Sequence, residues 1–296
     1  MMPSVTTPAG NPLLPFKLDF ASGIVSLGSC FADEMGERLV TAGFHIEQNP
    51  FGTLYNPSSV ASALDRLIDD REITEADLVQ HEGLWHSWHH HGRFSCATPE
   101  ETLECCNTRI HQAHQALREA DLLIVTLGSA WIFERILENG EKCIVANCHK
   151  LPQEMFVRRK MSVDEVVALW TPLLQRLTAY YPKLHILFTV SPIRHKADGL
   201  HGNQLSKATL LLAIDQLISS FHTSLPTLHY FPAYEIVLDE LRDYRYFDPD
   251  MVHPSPLAVD IVWEYFQRAT MQPSVREQAH FNMKQHKREQ HIPLHQ

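Results

Sequence analysis

Three short apolar runs, set among helical patterns, limit what this chain can fold into more than any other feature. They are residues 24 to 28, Asp121-Leu-Leu-Ile-Val-Thr-Leu-Gly128 and Leu184-His-Ile-Leu-Phe-Thr-Val190. None shows the apolar–polar alternation of a strand with one wet face, and continuous runs of this kind sit inside a parallel sheet covered on both sides. Helical patterns fall between them. Residues 31 to 42 carry Phe31, Met35 and Leu39 on one stripe, and Pro57-Ser-Ser opens a helix with Val60, Leu64 and Leu67 inward. Thr98-Pro-Glu-Glu101 and Ser162-Val-Asp-Glu165 are capping boxes, opening helices to about Ala120 and Tyr181. Asn203 to Phe221 reads as helix, Leu228 to Phe231 as a fourth short strand, and Pro256 to Gln267 as the last helix. Asn139-Gly140 between two strand-like runs marks a β-hairpin within residues 131 to 147. The β-α order predicts an α/β fold, a three-layer α/β/α sandwich on a central parallel sheet, with that hairpin inserted.

Composition narrows the function classes. Hydrophobic residues at 44% and charged residues at 20% are ordinary for a globular protein. A net charge of −10 argues against nucleic acid, which favours a basic face. No run approaches a membrane span, and Met1 to Asn11 lacks both the basic start and the apolar core of an export signal, so a cytoplasmic protein is expected. The six cysteines, at 30, 96, 105, 106, 143 and 148, are too irregular for a disulfide framework and are expected as free thiols. Oligomeric state is left open.

Nineteen histidines raise the question of a metal, most of all at Trp85-His-Ser-Trp-His-His-His-Gly-Arg-Phe94. His89, His90 and His91 are consecutive, so a strand would alternate them between faces and a helix would fan them out. Asn147-Cys-His-Lys150 offers two ligand types without a C-x-x-C or H-x-x-x-H partner. Neither a metal nor any other cofactor is expected.

The stretch Tyr246-Phe-Asp-Pro-Asp-Met-Val-His-Pro-Ser255 carries the strongest chemical signal. Asp250, three residues before His253 on a turn entering a helix, can hold one imidazole nitrogen and leave the other as a general base. The competing reading makes Asp250 a cap for that helix and His253 a surface residue. A nucleophile is supplied by Gly23-Ile-Val-Ser-Leu-Gly-Ser-Cys-Phe-Ala32, where Ser29 and Cys30 join the first strand to its helix. In an open α/β sheet, ligands sit beyond the carboxyl ends of the strands. Ser29-Cys30, Gly52, Gly128-Ser129, Ser191-Pro192 and the Asp250/His253 turn all fall at such positions.

The string Gly28-Ser-Cys-Phe-Ala32 resembles the signature of the GSCFA family, which is similar to a divergent branch of the SGNH (GDSL-like) hydrolases. Asn49-Pro-Phe-Gly-Thr-Leu-Tyr-Asn-Pro57, Val125-Thr-Leu-Gly-Ser-Ala-Trp131, Asn147-Cys-His-Lys150, Thr189-Val-Ser-Pro-Ile-Arg-His195 and the Asp250/His253 block agree with it, over roughly residues 20 to 268. The resemblance implies an SGNH/flavodoxin-like sheet and an esterase or O-acyltransferase acting on an acyl ester. An ungapped match lays Cys30 on the SGNH serine; Ser29 attacks instead if the turn is reset by one residue. A thiol suits the start of a helix, where the dipole favours thiolate. His253 would be base and then acid, and Asp250 would orient it.

In the SGNH pattern the oxyanion donors are the nucleophile's own N–H, a block-two glycine and a block-three asparagine. Gly52 fits the glycine, but Ala130 stands where the asparagine belongs. Ser129, Asn56 or a histidine of the 86 to 91 segment is the candidate replacement; Asn56 also reads as a cap before Pro57. Arg194, His195 and Lys207 are placed near the same edge to bind an acidic or phosphorylated substrate, and Trp85, Trp88 and Trp131 to stack on a sugar, which would make the substrate a carbohydrate ester. A module that keeps the fold and cleft only to bind a carbohydrate or acyl ligand is the alternative, and Ala130 favours it. Because the motifs run from residue 28 to 253, one domain over residues 1–271 is expected, followed by a polar, solvated tail over 272–296.

Overall fold

A computed structural model of the protein describes residues 7–221 and 227–290. The expectation for Met1 to Asn11 therefore lies partly outside the described residues, as does the end of the expected tail. In chain order the elements begin with β1 (Gly23–Gly28), α1 (Cys30–Ala42), β2 (His45–Gln48) and α2 (Pro57–Asp69). A small hairpin of β3 (Leu78–His81) and β4 (Leu84–Ser87) precedes α3 (Pro99–Glu119) and β5 (Leu122–Leu127). Next come β6 (Trp131–Ile136), β7 (Lys142–Val145), β8 (Phe156–Lys160) and α4 (Val163–Tyr180). The remainder is β9 (His185–Val190), α5 (Gly199–Phe221), β10 (Leu228–Tyr230), α6 (Ala233–Glu235) running into a π-helical turn at Ile236–Leu241, α7 (Pro256–Thr270) and α8 (Pro273–Glu289).

Five strands form one parallel sheet in the order β10-β9-β5-β1-β2. Counted along the chain, this is the 2-1-3-4-5 order of a flavodoxin-like sheet. The continuous runs are buried on both faces because their side chains alternate between two cores. Leu123, Val125 and Leu127 of β5 enter one core with Val60 and Leu64 of α2, Ile110 and Leu117 of α3, Trp170 of α4 and Leu210 of α5. Leu122 and Ile124 enter the other with Phe31, Met35 and Leu39 of α1 and Val262 and Phe266 of α7. The α/β/α sandwich is thus the direct result of period-2 alternation in strands that send apolar side chains to both faces. Both capping boxes form. The β6–β7 hairpin forms around Gly140 and is extended by β8, a strand the apolar pattern does not announce, on the other side of β6.

Two stretches differ from expectation. Helix α5 begins at Gly199, four residues before Asn203. The stretch expected as a solvated tail instead forms α8 over Pro273–Glu289, which packs on α1. Ala279 is fully buried, Val275 and Met283 lie partly buried beside it, and Asn282 Nδ2 donates to the Ala42 carbonyl at 2.8 Å. One apolar residue per turn carries this contact, too narrow a stripe to stand out of a polar sequence. No helix among the described residues is long and apolar enough to cross a membrane.

Candidate active site at the carboxyl edge of the sheet

The turn from β1 into α1 is built on a close approach of backbones. Gly28 has φ +149°, and a Cβ there would lie 2.1 Å from the Thr126 carbonyl oxygen of β5, so only glycine fits. Its N–H donates to Asn49 Oδ1 at 2.8 Å, and the Ser29 N–H donates to the Thr126 carbonyl at 3.1 Å. Asn49 is itself anchored by donating to Asp33 Oδ1 at 2.7 Å. The loop after β2 is thereby tied to the first turn of α1.

Ser29 and Cys30 face different surroundings. Ser29 is 2% exposed, its Oγ has no hydrogen-bond partner among the described residues, and its Cβ lies against Gly128. Cys30 is half-buried, and its Sγ is hydrogen-bonded with the Tyr55 hydroxyl at 3.4 Å. As the first residue of α1, Cys30 has no preceding turn to receive its own N–H. Tyr55 is held by its main chain: its carbonyl accepts the N–H groups of Gly128 and Ser129, both at 2.8 Å. Burial, and then the thiol beside it, push the Tyr55 phenol above its ordinary range.

Several expected donors are already used. The Gly52 N–H donates to the Asn49 carbonyl at 2.7 Å within a turn, which removes it as an oxyanion donor in this conformation. Ser129 donates its N–H to Tyr55, while its Oγ accepts from Trp131 N at 3.2 Å and pairs with Ser206 Oγ at 3.3 Å. Asn56 is the N-cap of α2, accepting from Ser59 N at 2.8 Å. Of the histidines at 86 to 91, His89 Nε2 bonds Asp77 Oδ1 at 2.9 Å, His90 is fully buried against Phe51, and His91 caps a short 3₁₀ turn. Among the described residues, no three His, Cys, Asp or Glu side chains converge as a metal ion requires. The six cysteines are free thiols.

Lys207 does not reach a substrate from the surface, as its sequence position suggested. It is 1% exposed, and Nζ donates to the carbonyls of Gly128 and Ser191, both at 2.6 Å, joining the loops that follow β5 and β9. Burial pushes its ammonium down to about 7. His195 lies beside it, with its ring edge toward Tyr55 at 6.1 Å; burial, then the Lys207 charge, lower its pKa to about 4. Arg194 stacks on Phe247 at 4.0 Å, and Arg158, paired with Asp198, covers a face of Trp131 at 4.2 Å. Trp88 is a core residue, 4% exposed, and its partner across its ring is Arg135.

Asp250 does not cap α7; Ser255 does, accepting from Ala258 N. Asp250 Oδ1 instead accepts the N–H groups of Val252 at 2.8 Å and His253 at 3.0 Å, while Oδ2 bonds His253 Nδ1 at 2.6 Å. The His253 bond, and then these N–H groups, hold the Asp250 carboxyl well below the usual carboxylate range. The turn requires a left-handed Met251, φ +59°. His253 is 46% exposed at its side chain, and its Nε2 has no protein partner among the described residues. The loop after β9 reaches this turn through Arg194 N donating to the Val252 carbonyl at 3.2 Å, and through Lys196 Nζ bonding the Asp250 carbonyl. No hydrogen bond joins His253 to Cys30 or Ser29 among the described residues. Tyr55, Lys207 and Asn49 are the site residues whose roles the sequence did not reveal, although Tyr55 and Asn49 lie inside the Asn49–Pro57 block.

A sequence model of the GSCFA family matches residues 23–266, and the chain belongs to that family. No curated protein matches the chain. Solved structures similar in fold include a protein named as an acylhydrolase from Bacteroides fragilis, at 9% identity and TM-score 0.42, covering 90% of this chain and 92% of that one. A protein named as a GDSL-like lipase from Parabacteroides merdae aligns at 12% identity and TM-score 0.42, over 88% and 99% of the two chains. A family 3 carbohydrate esterase of Clostridium thermocellum aligns at 10% identity and TM-score 0.38, over 86% and 98%. Likenesses this distant leave the chemistry to be argued from the residues themselves.

Proposed function

We propose that this GSCFA-family protein is an SGNH-like esterase or O-acyltransferase, with Cys30 as nucleophile, His253 as general base and then acid, and Asp250 orienting His253. The observation that carries the reading is the Asp250–His253 pair, bonded at 2.6 Å through Nδ1 with Nε2 left open, at the sheet edge where Cys30 begins α1. A carboxylate on Nδ1 fixes the tautomer in which Nε2 accepts a proton, and it stabilises the imidazolium that follows. Cys30 is preferred over Ser29 because the serine hydroxyl is enclosed whereas the thiol is half-exposed.

The thiol proton passes to His253 Nε2, and the thiolate attacks the ester carbonyl carbon. The C–S bond forms as the carbonyl π pair moves onto oxygen. Collapse of that oxyanion breaks the C–O bond, and the leaving alkoxide takes the proton from His253. Water, or an acceptor alcohol, then attacks the thioester, gives its proton to His253 and releases the acid or the new ester, with the proton returning to Cys30. Substrate must first bring Cys30 and His253 together, since hydrogen bonds of this kind tighten in the substrate complex.

The test is labelling with iodoacetamide and with a fluorophosphonate, with the labelled peptide identified, beside Cys30→Ser and Ser29→Ala. Label on Cys30, loss of most p-nitrophenyl acetate turnover in C30S and retention in S29A are expected. The inverse pattern moves the nucleophile to Ser29. Near-wild-type turnover in both variants overturns the covalent reading and favours a ligand-binding module on the same fold.

A further inference from the structure

Resting on the acyl-transfer reading above, we propose that the Tyr55 hydroxyl is the hydrogen-bond donor to the oxyanion formed at Cys30, in the role for which Ala130 provides no amide. The case begins with elimination. The N–H groups of Gly52, Gly128 and Ser129 are each bonded to a main-chain carbonyl, and Ser129 Oγ is enclosed with Ser206. Asn56 is 5% exposed at the cap of α2 and makes no hydrogen bond to Cys30. Apart from the N–H of Cys30 itself, the Tyr55 hydroxyl is the donor found at the thiol among the described residues, 3.4 Å from Sγ.

Position and protonation both suit the role. The two bonds from Gly128 and Ser129 to the Tyr55 carbonyl fix the tyrosine to the loop that packs against Ser29, so the phenol is aligned with the start of α1 before any substrate arrives. A preorganised donor of this kind needs no rearrangement when charge develops. Burial raises the phenol pKa, so it remains an O–H donor through the neutral and alkaline range. In the free protein the hydroxyl is hydrogen-bonded with sulfur. As the C–S bond forms, negative charge leaves sulfur for the carbonyl oxygen on the attacked carbon, and the hydroxyl's hydrogen bond transfers with it. The proton stays on Tyr55 throughout.

The experiment compares two reactions of the same sulfur in wild type, Tyr55→Phe and Cys30→Ala. Iodoacetamide alkylation displaces iodide and forms no oxyanion, whereas p-nitrophenyl acetate turnover passes through one. Tyr55→Phe, folded as judged by its melting temperature, is expected to lose roughly 10²-fold in kcat for p-nitrophenyl acetate, the scale of one lost oxyanion donor. Its alkylation rate, taken on the alkaline plateau of the measured pH–rate curve, should stay within a few-fold of wild type. Equal losses in both reactions would make Tyr55 a support for the thiol alone and overturn the proposal, as would unchanged turnover. Cys30→Ala separates the two levels: an inactive C30A beside a fully active Y55F removes only the role of Tyr55, whereas an active C30A removes the acyl-transfer reading beneath it.

Discussion

Lys207 makes the energetic consequence of this architecture measurable. Its Nζ spans the carbonyls of Gly128 and Ser191 in full burial, and no carboxylate lies within ion-pair distance of it among the described residues. An ammonium there is desolvated, which pushes its pKa down to about 7. In the unfolded chain a lysine titrates near 10.4. Between these values the unfolded chain binds more protons than the folded one, so stability rises with pH across that window; below about 7 both states are protonated and the contribution is flat. Integrating a shift of this size gives roughly 2 kcal/mol gained between pH 7 and pH 9. Lys207→Met abolishes the titration and leaves two buried carbonyls without a donor, each worth about 1–3 kcal/mol. The variant should therefore be less stable than wild type at pH 9, with the gap narrowing by roughly 2 kcal/mol at pH 7. Urea unfolding of both proteins from pH 6 to 9.5 measures it. Taking the difference between the two removes groups that titrate alike in both; of the ionisable neighbours of Lys207, burial and then the Lys207 charge lower His195 to about 4, below the window, and burial raises the Tyr234 phenol above its ordinary range, beyond the window. A gap that stays constant with pH would show that Lys207 keeps an ordinary pKa, and one that widens toward pH 7 that its pKa is raised on folding; either result would refute the argument from desolvation.

His253→Ala should lower p-nitrophenyl acetate turnover by at least about 10²-fold, the usual contribution of a general base, and equal rates in folded wild type and variant would remove His253 from the mechanism. Gly28→Ala puts a methyl group 2.1 Å from the Thr126 carbonyl oxygen at a φ of +149°; with backbone on both sides of the clash, a loss of about 3 kcal/mol or more is expected in chemical denaturation. Thr189 Oγ1 and Ser26 Oγ are buried without hydrogen-bond partners among the described residues, beside a cavity of about 20 Å³. Thr189→Val should accordingly be neutral or stabilising by up to about 1 kcal/mol, and a clear destabilisation would mean that the hydroxyl is hydrogen-bonded after all. Ala279→Glu, which forces a carboxylate into the fully buried contact between α8 and α1, should lower stability by about 2 kcal/mol or more, and an unchanged melting temperature would make that helix dispensable.

What the sequence made legible depends on the range over which each feature is determined. The strands β1, β5 and β9 are readable because their apolar runs are local, and burial on both faces demands that continuity. The Asp250–His253 pair is readable for the same reason, since three residues of chain and one turn bring carboxylate to imidazole. The choice between Ser29 and Cys30 is not local. Ser29 is sealed by Gly128, ninety-nine positions along the chain, and Cys30 is met by Tyr55 from the loop after β2. Gly52 matched a pattern by position, yet the turn that holds it uses its N–H internally. Lys207 carried a signal that its charge obscured: with Leu210, Ile214 and Leu217 it lies at helical spacing on the buried stripe of α5, so periodicity pointed it inward. A lysine on such a stripe must find acceptors in the interior, and at the carboxyl end of a parallel sheet the acceptors are loop carbonyls that no strand partner has claimed. The carbonyls it takes belong to Gly128 and Ser191, at the start of the loops after the neighbouring strands β5 and β9, the first of which packs against Ser29 beside the proposed nucleophile, so the residue misread as a substrate contact is the one that ties those loops together.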